Sequence, residues 1–378
     1  MREEEDLKQR IISVIKEYDN QGIHRTGTEV DNQSAHWFAN KIKKFGPEPR
    51  LEEFSLNRID IIEAYIDIGA EKVNGVPLFD CTYPKEEIIG KLGSLKEKNI
   101  IGFTRVKNVK SQDLEKKRKN SSNVGIVVAT QGLTPGLSLI NAESFTKPFG
   151  PPTLQVSSEN WTFLSSKIGT EVHLNIKVNS TPAIAYNVSA RIEGKDPKLK
   201  PLVVMTPRSG WWNCASERAG GIAIFLEMIR TFTQSKPNRT VIFLANSGHE
   251  LGHLGLNSYL ANNSSLIKDA SSWIHLGANL AENQLGLLAQ SSDSDIESLG
   301  LKSLAKFDLF PSVKISQGTR PLGEAKNIFD GEGRFFSVIG TRNPLFHHPD
   351  DRWPNAINVN STLQITKAML RLASYLGS

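Results

Sequence analysis

Apolar side chains recur at helical spacing over residues 3–18, at Leu7, Ile11, Val14, Ile15 and Tyr18. That spacing predicts an amphipathic helix. Gly22-Ile-His-Arg-Thr-Gly27 breaks it. A second helix is expected next, opened by Asp31 or Asn32, carrying Ala35, Phe38, Ala39, Ile42 and Phe45, and stopped by Gly46-Pro47. Strands are expected at 51–56 and 59–68. Strict alternation at Val172, Leu174, Ile176 and Val178, and at the even positions Ile184, Tyr186, Val188, Ala190 and Ile192, predicts half-buried strands.

From residue 201 the pattern changes. Leu202–Met205 reads as a short buried strand, and Ile222, Ala223, Phe225, Leu226, Ile229 and Phe232 mark an amphipathic helix. A strand at 240–245, a helix to about 261, a buried strand at Trp273–Leu276 and a final helix at Leu363–Leu376 follow. Alternating strands and helices predict an α/β fold, with a mostly parallel mixed sheet flanked by helices. Residues 70–180 read differently. Short apolar runs there alternate with basic and Gly/Pro segments, as expected of a smaller inserted α/β or β-rich domain. The core would then comprise 1–69 and 181–378.

Composition narrows the classes. The chain has 378 residues, 39% hydrophobic and 22% charged, which is ordinary for a globular protein. No apolar run approaches the roughly 18 residues of a membrane span, so no membrane partner is expected. The two cysteines, Cys81 and Cys214, make no disulfide framework, and the amino terminus lacks a signal-peptide pattern. A reducing cytoplasm is the expected location. The net charge of +5 is concentrated in residues 85–120, around Lys116-Lys-Arg-Lys119. No aromatic interleaving accompanies it, so a solvated helix face is expected rather than a nucleic-acid surface.

Four clusters could carry chemistry. Thr206-Pro-Arg-Ser-Gly-Trp-Trp-Asn-Cys-Ala-Ser-Glu217 follows a strand. There Trp211 and Trp212 could form a ligand platform with Arg208 gripping an anion, or the indoles could plug a gap between domains. Asn246-Ser-Gly-His-Glu-Leu-Gly-His253 contains H-E-L-G-H. A zincin needs both histidines of that motif on one helix face, with Glu250 as base. Here the motif follows a strand of a parallel sheet, and two glycines weaken the helix start. His275 lies inside a buried strand and reads as a satisfied core histidine. Phe346-His-His-Pro-Asp-Asp-Arg-Trp353 offers two His and two Asp before the last helix, a pattern suited to metal binding or proton transfer.

Taken in order, several segments resemble the zinc exopeptidase family, peptidase family M28. That family includes bacterial aminopeptidases, glutaminyl cyclases and the transferrin receptor ectodomain. The segments are His24-Arg-Thr-Gly-Thr28, Val203-Val-Met205, Ala219-Gly-Gly-Ile-Ala223, Lys236 to Phe243, Glu250-Leu-Gly252 with Gly255, and His347-His-Pro-Asp-Asp351. The 70–180 insertion resembles a protease-associated domain ending in Pro152-Thr-Leu-Gln-Val-Ser-Ser158.

The resemblance implies a site with most metal ligands replaced. The family's strand-end His and Asp fall on Pro207 and Ser209, its bridging Asp on Ser216, and its later Asp on Gly277. Its paired glutamates fall on His249 and Glu250, and its closing His is kept as His347. Two zinc ions without the bridging carboxylate would repel one another, so at most one is expected. Glu250 and His347 are the expected ligands, with help from Glu217, Cys214 or His249. His249, where the family's base belongs, and Glu217 are the expected catalytic groups. Arg208, Trp211 and Trp212 would bind a small-molecule or peptide ligand. Ser209, Ser216 and Cys214 are conceivable nucleophiles without a triad signature. The expected function is a divergent hydrolase of an amide or peptide-like bond, or else an inactive family member serving as a binding or assembly module.

Overall fold

The structure is a computed structural model that describes residues 2–107, 109, 111–284 and 286–378. Helix α1 (Arg2–Asp19) buries Leu7, Ile11, Ile15 and Tyr18, the stripe its spacing predicts. Helix α2 (Glu29–Phe45) starts earlier than expected. Its cap is Thr28, whose hydroxyl accepts the Asp31 N–H, and Asp31 itself is drawn into the interior. Between these helices, His24 is fully buried and stacks on Tyr18 with ring centroids 3.7 Å apart.

Burial and the nearby Arg208 charge push the His24 pKa down to about 3. A folded pKa below the unfolded one stabilises fully above about 6.5, and that stability drains away as pH falls toward 3. His24→Gln is therefore expected to flatten the loss of stability between pH 6.5 and 5 by up to about 1.4 kcal/mol per pH unit. Urea midpoints across that range check it, and an unchanged slope refutes it.

The two strands expected at 51–68 are one, β1 (Arg50–Ile68), with a register shift at Ile61/Glu63. It pairs antiparallel with β8 (Glu171–Ile192) from Arg50↔Ser189 to Asp67↔His173. The expected alternation holds in the first half of β8. In the second half it fails, with Ile184 exposed and both faces covered from Asn187 to Ala190. There β8 runs between β1 and β10 beneath a helix, so no face is left to solvent.

Residues 70–180 supply β2 (Glu71–Asn74), β3 (Val76–Pro77), β4 (Ile88–Ser94), β5 (Ile101–Lys107), β6 (Gly125–Gln131) and β7 (Thr153–Ser157). They also supply helices α3 (Ser111–Lys119) and α4 (Trp161–Ser166). Strands β4 to β7 are parallel neighbours with an apolar cluster of their own, including Leu92, Ile101, Val127, Leu154 and Leu174.

Beyond β8 come β9 (Leu202–Pro207), α5 (Ala219–Gln234), β10 (Val241–Asn246), α6 (Leu254–Asn262), α7 (Leu266–Asp269) and β11 (Ser272–Leu276). The chain continues through β12 (Leu287–Ser291), α8 (Ser294–Ala305), β13 (Val313–Ile315), α9 (Ala325–Asp330), β14 (Phe335–Gly340) and α10 (Val359–Leu376). Strands β10, β9, β11 and β14 lie side by side and parallel, and β12 joins antiparallel. Helices α1, α2, α5, α8 and α10 cover one face over the largest apolar cluster. Helices α6 and α9 cover the other, over Trp273, Tyr259 and Phe335. The mixed α/β fold expected from the sequence is the observed one. No helix among the described residues is long and apolar enough to cross a membrane.

Candidate metal centre

The carboxyl ends of parallel strands open onto one place, and the polar residues gather there. After β10 the chain turns through Gly248, forms a short 3-10 turn at His249–Leu251, and passes Gly252 before α6. His253 lies outside the helix, in the left-handed region at φ 60. The two histidines of H-E-L-G-H therefore do not share a helix face, as a zincin would require. The glycines that weaken a helix start also set this turn.

From the loop between β9 and α5 comes Glu217, and from the loop after β14 comes His347. Ligating atoms of Glu217, His249 and His347 all lie within 4.8 Å of one another, and all three side chains are buried. Glu217 Oε1 is 3.4 Å from His347 Nε2. A tetrahedral zinc site with bonds of about 2.1 Å has edges of about 3.4 Å.

The ring nitrogens are already sorted. His249 Nδ1 is 2.6 Å from Glu324 Oε1, and His347 Nδ1 is 2.6 Å from the Leu139 carbonyl. Each partner is an acceptor, so each Nδ1 donates, which leaves each Nε2 for another partner. His347 Nε2 and both Glu217 oxygens are buried without hydrogen-bond partners. Burial by itself would raise the Glu217 carboxyl, but the Arg218 guanidinium and His347 hold it well below the usual carboxylate range. Asp351 fixes the loop by accepting the Ser216 and Glu217 N–H groups at 2.8 and 3.0 Å.

Behind His249 a polar chain runs into the sheet. Glu324 Oε2 meets His275 Nε2 at 3.1 Å, and His275 Nδ1 meets Ser337 Oγ at 2.7 Å. His275 is thus a satisfied core histidine that also anchors Glu324. Burial opposes ionisation of Glu324, yet His249 and His253 bring its carboxyl well below the usual range. Sequence reasoning missed Glu324. A single Glu ahead of a short helix looks like any first-turn acid, and only the fold brings it to a residue 75 positions away. Glu324 also forms a second candidate donor group with His249 and His253. There the His253 Nδ1 is taken by Asn327 at 2.7 Å.

Several expected site residues are placed elsewhere. Glu250, expected as a metal ligand, turns away from the trio. Its Oε1 accepts the Thr26 N–H and hydroxyl at 2.7 and 2.6 Å, and its Oε2 accepts the Ser209 hydroxyl at 2.7 Å. Arg208, expected to grip a ligand, is fully buried against Asp31 at 2.9 Å and donates to the Asp31 and Tyr186 carbonyls. Trp211 stacks on Phe79 and donates to Asn141, which is the gap-plugging role weighed against a ligand platform. Trp212 reaches the site only through the His347 carbonyl, at 2.9 Å. Burial pushes the Cys214 thiol well up, which makes it a poor nucleophile. Ser209 donates to the Glu250 carboxylate, which is itself held by Thr26, and Ser216 accepts from Asn343; neither hydroxyl meets an imidazole among its hydrogen-bond partners.

Residues 133–149, which contain no helix or strand, close the mouth of the site. The Leu139 N–H donates to the His347 carbonyl, the Ala142 N–H donates to the Glu250 carbonyl, and Glu143 pairs with Lys326 at 2.8 Å. Gly252 permits this approach. It has φ +70, and an added Cβ would lie 2.6 Å from the Glu143 carbonyl oxygen. Gly252→Ala is expected to cost about 1–3 kcal/mol and to detach this segment first. Hydrogen exchange at Leu139 and Ala142 should rise relative to β9 and β10, and equal protection would refute this.

Residues 187–318 match the model of peptidase family M28. Over that segment the chain is similar to the family. Its fold is that of a zinc aminopeptidase from Bacillus subtilis, at TM-score 0.79 and 16% identity over 97% of this chain and 94% of that one. A peptidase M28 precursor from Shewanella amazonensis aligns at TM-score 0.76 and 15% identity, over 100% of this chain and 96% of that one. Among curated proteins, transferrin receptor protein 2 of Homo sapiens is 28% identical over 97 residues, 24% of this chain and 12% of that protein. An inactive zinc metalloprotease of Schizosaccharomyces pombe is 31% identical over 114 residues, 28% of this chain and 14% of that protein. The match thus spans about an eighth of the length of these two relatives.

Proposed function

We propose that the protein is a divergent hydrolase of amide or peptide-like bonds that works with a single metal ion, held by Glu217, His249 and His347. The observation that carries this is the buried cluster of two histidines, each with Nδ1 committed, and one carboxylate, whose ligating atoms all lie within 4.8 Å of one another. Two nitrogens and one carboxylate are a donor set that suits one zinc and leaves a coordination position open. A two-ion site does not fit, because Pro207 and Gly277 carry no donor and the Ser216 hydroxyl is taken by Asn343.

Zinc in such a site supplies Lewis acidity toward a carbonyl oxygen. The chain's own residues do the rest. Glu324 orients His249, the Leu139 carbonyl orients His347, and Asp351 holds the Glu217 loop. The ligand class that this ancestry suggests is a peptide or a peptide-like small molecule.

A second reading, an inactive binding or assembly module, is favoured by the Arg218 guanidinium lying 2.6 Å from Glu217 Oε1. Elemental analysis of the purified protein, with turnover of aminoacyl arylamides before and after chelation, separates the two. One zinc with chelator-sensitive turnover supports the hydrolase. One zinc without turnover supports the module, and no zinc overturns the metal centre.

A further inference from the structure

We propose that Arg218 is a built-in cation that stands in for the charge of the second metal ion and thereby keeps the zinc affinity of the Glu217–His249–His347 site low. This rests on the one-metal reading above. Arg218 is fully buried, and its Nε–H donates to the Ser209 carbonyl at 2.6 Å. Its Nη2 lies 2.6 Å from Glu217 Oε1, the oxygen that is 3.4 Å from His347 Nε2. Neither Nη1 nor Nη2 has a hydrogen-bond partner. One carboxylate oxygen is therefore shared between a fixed organic cation and the vacant side of the trio.

The charge count points the same way. Glu217 is the only carboxylate of the trio, because Glu250 is turned to Thr26 and Ser209. The Glu217 carboxylate is already paired with the Arg218 guanidinium. A dication added there meets a positive charge a few ångströms away among buried side chains, where screening is weak. A buried arginine would be a costly neighbour for two metal dications. It suits a site that has lost the donors for one of those ions.

The test compares the full chain with Arg218→Met and Arg218→Lys, using zinc alone as probe in competition with a chelator. Arg218→Met is expected to bind zinc at least about tenfold more tightly, and Arg218→Lys, which keeps the charge, within about threefold of the unmodified chain. An Arg218→Met affinity that is unchanged or weaker overturns the proposal. If the unmodified chain binds no zinc and Arg218→Met binds one, the one-metal reading fails and the proposal stands. If the unmodified chain binds one and Arg218→Met binds no tighter, the reading stands and the proposal fails. If neither binds, both fall. Thermal melting with and without zinc covers loss of folding. Recovery of the Arg218→Met fold by zinc supports the proposal, and an unfolded protein in both conditions overturns it.

Discussion

His347→Ala is expected to abolish the zinc binding proposed for this site at micromolar protein, and His249→Ala to do the same. Each removes one of three donors, and loss of a partner behind a ligand alone already costs about 10–100-fold, so at least about 100-fold is expected. Glu250→Gln and His253→Ala serve as contrasts. Glu250 holds the Thr26 segment rather than the trio, so its replacement lowers stability while zinc affinity stays within about threefold of the parent. His253 hydrogen-bonds Asn327 and stands outside the trio, so His253→Ala also keeps the ion. Competition titrations with a chromogenic chelator decide. Zinc lost on Glu250→Gln but kept on His347→Ala would return the ligand role to the residue that sequence reasoning favoured.

The largest effect on stability is expected from Arg208→Met, at about 3–5 kcal/mol. The substitution leaves Asp31 buried without its counter-charge, although Ser247 and Gly27 still donate to it. Burial raises the Asp31 carboxyl even with Arg208 in place. Without Arg208 it rises further, and a folded pKa above the unfolded one costs stability as pH rises through that interval. The gap between variant and parent should therefore widen from pH 4 to pH 7. The double variant Asp31→Asn/Arg208→Met should lose less than Arg208→Met alone, since it removes both charges. Urea unfolding of the parent and both variants measures this. A loss below 1 kcal/mol for Arg208→Met would show the pair to be dispensable.

Periodicity and side-chain chemistry carried the reading a long way. The stripes of α1 and α5 and the apolar runs of β9, β10 and β11 lie where spacing placed them, because burial of one face is a local property of the chain. The turn after β10 and the loop after β14 were also legible as places of chemistry. Polar residues that follow a buried strand must emerge at the sheet's edge. His249 and His347 met there for that reason.

What the sequence by itself determined is the class of fold and the strand ends at which the polar residues gather. What only the tertiary structure decided is direction. His249 and Glu250 are adjacent, yet a 3-10 turn sends one to Glu217 and His347 and the other to Thr26. Arg208 and Arg218 are both loop arginines, yet one is locked on Asp31 and the other borders the trio. Glu324 arrives from 75 residues away, and the Leu139 carbonyl from more than 200. Such pairings depend on which buried charge finds which partner. That is settled by desolvation across the assembled core rather than by any pattern along the chain.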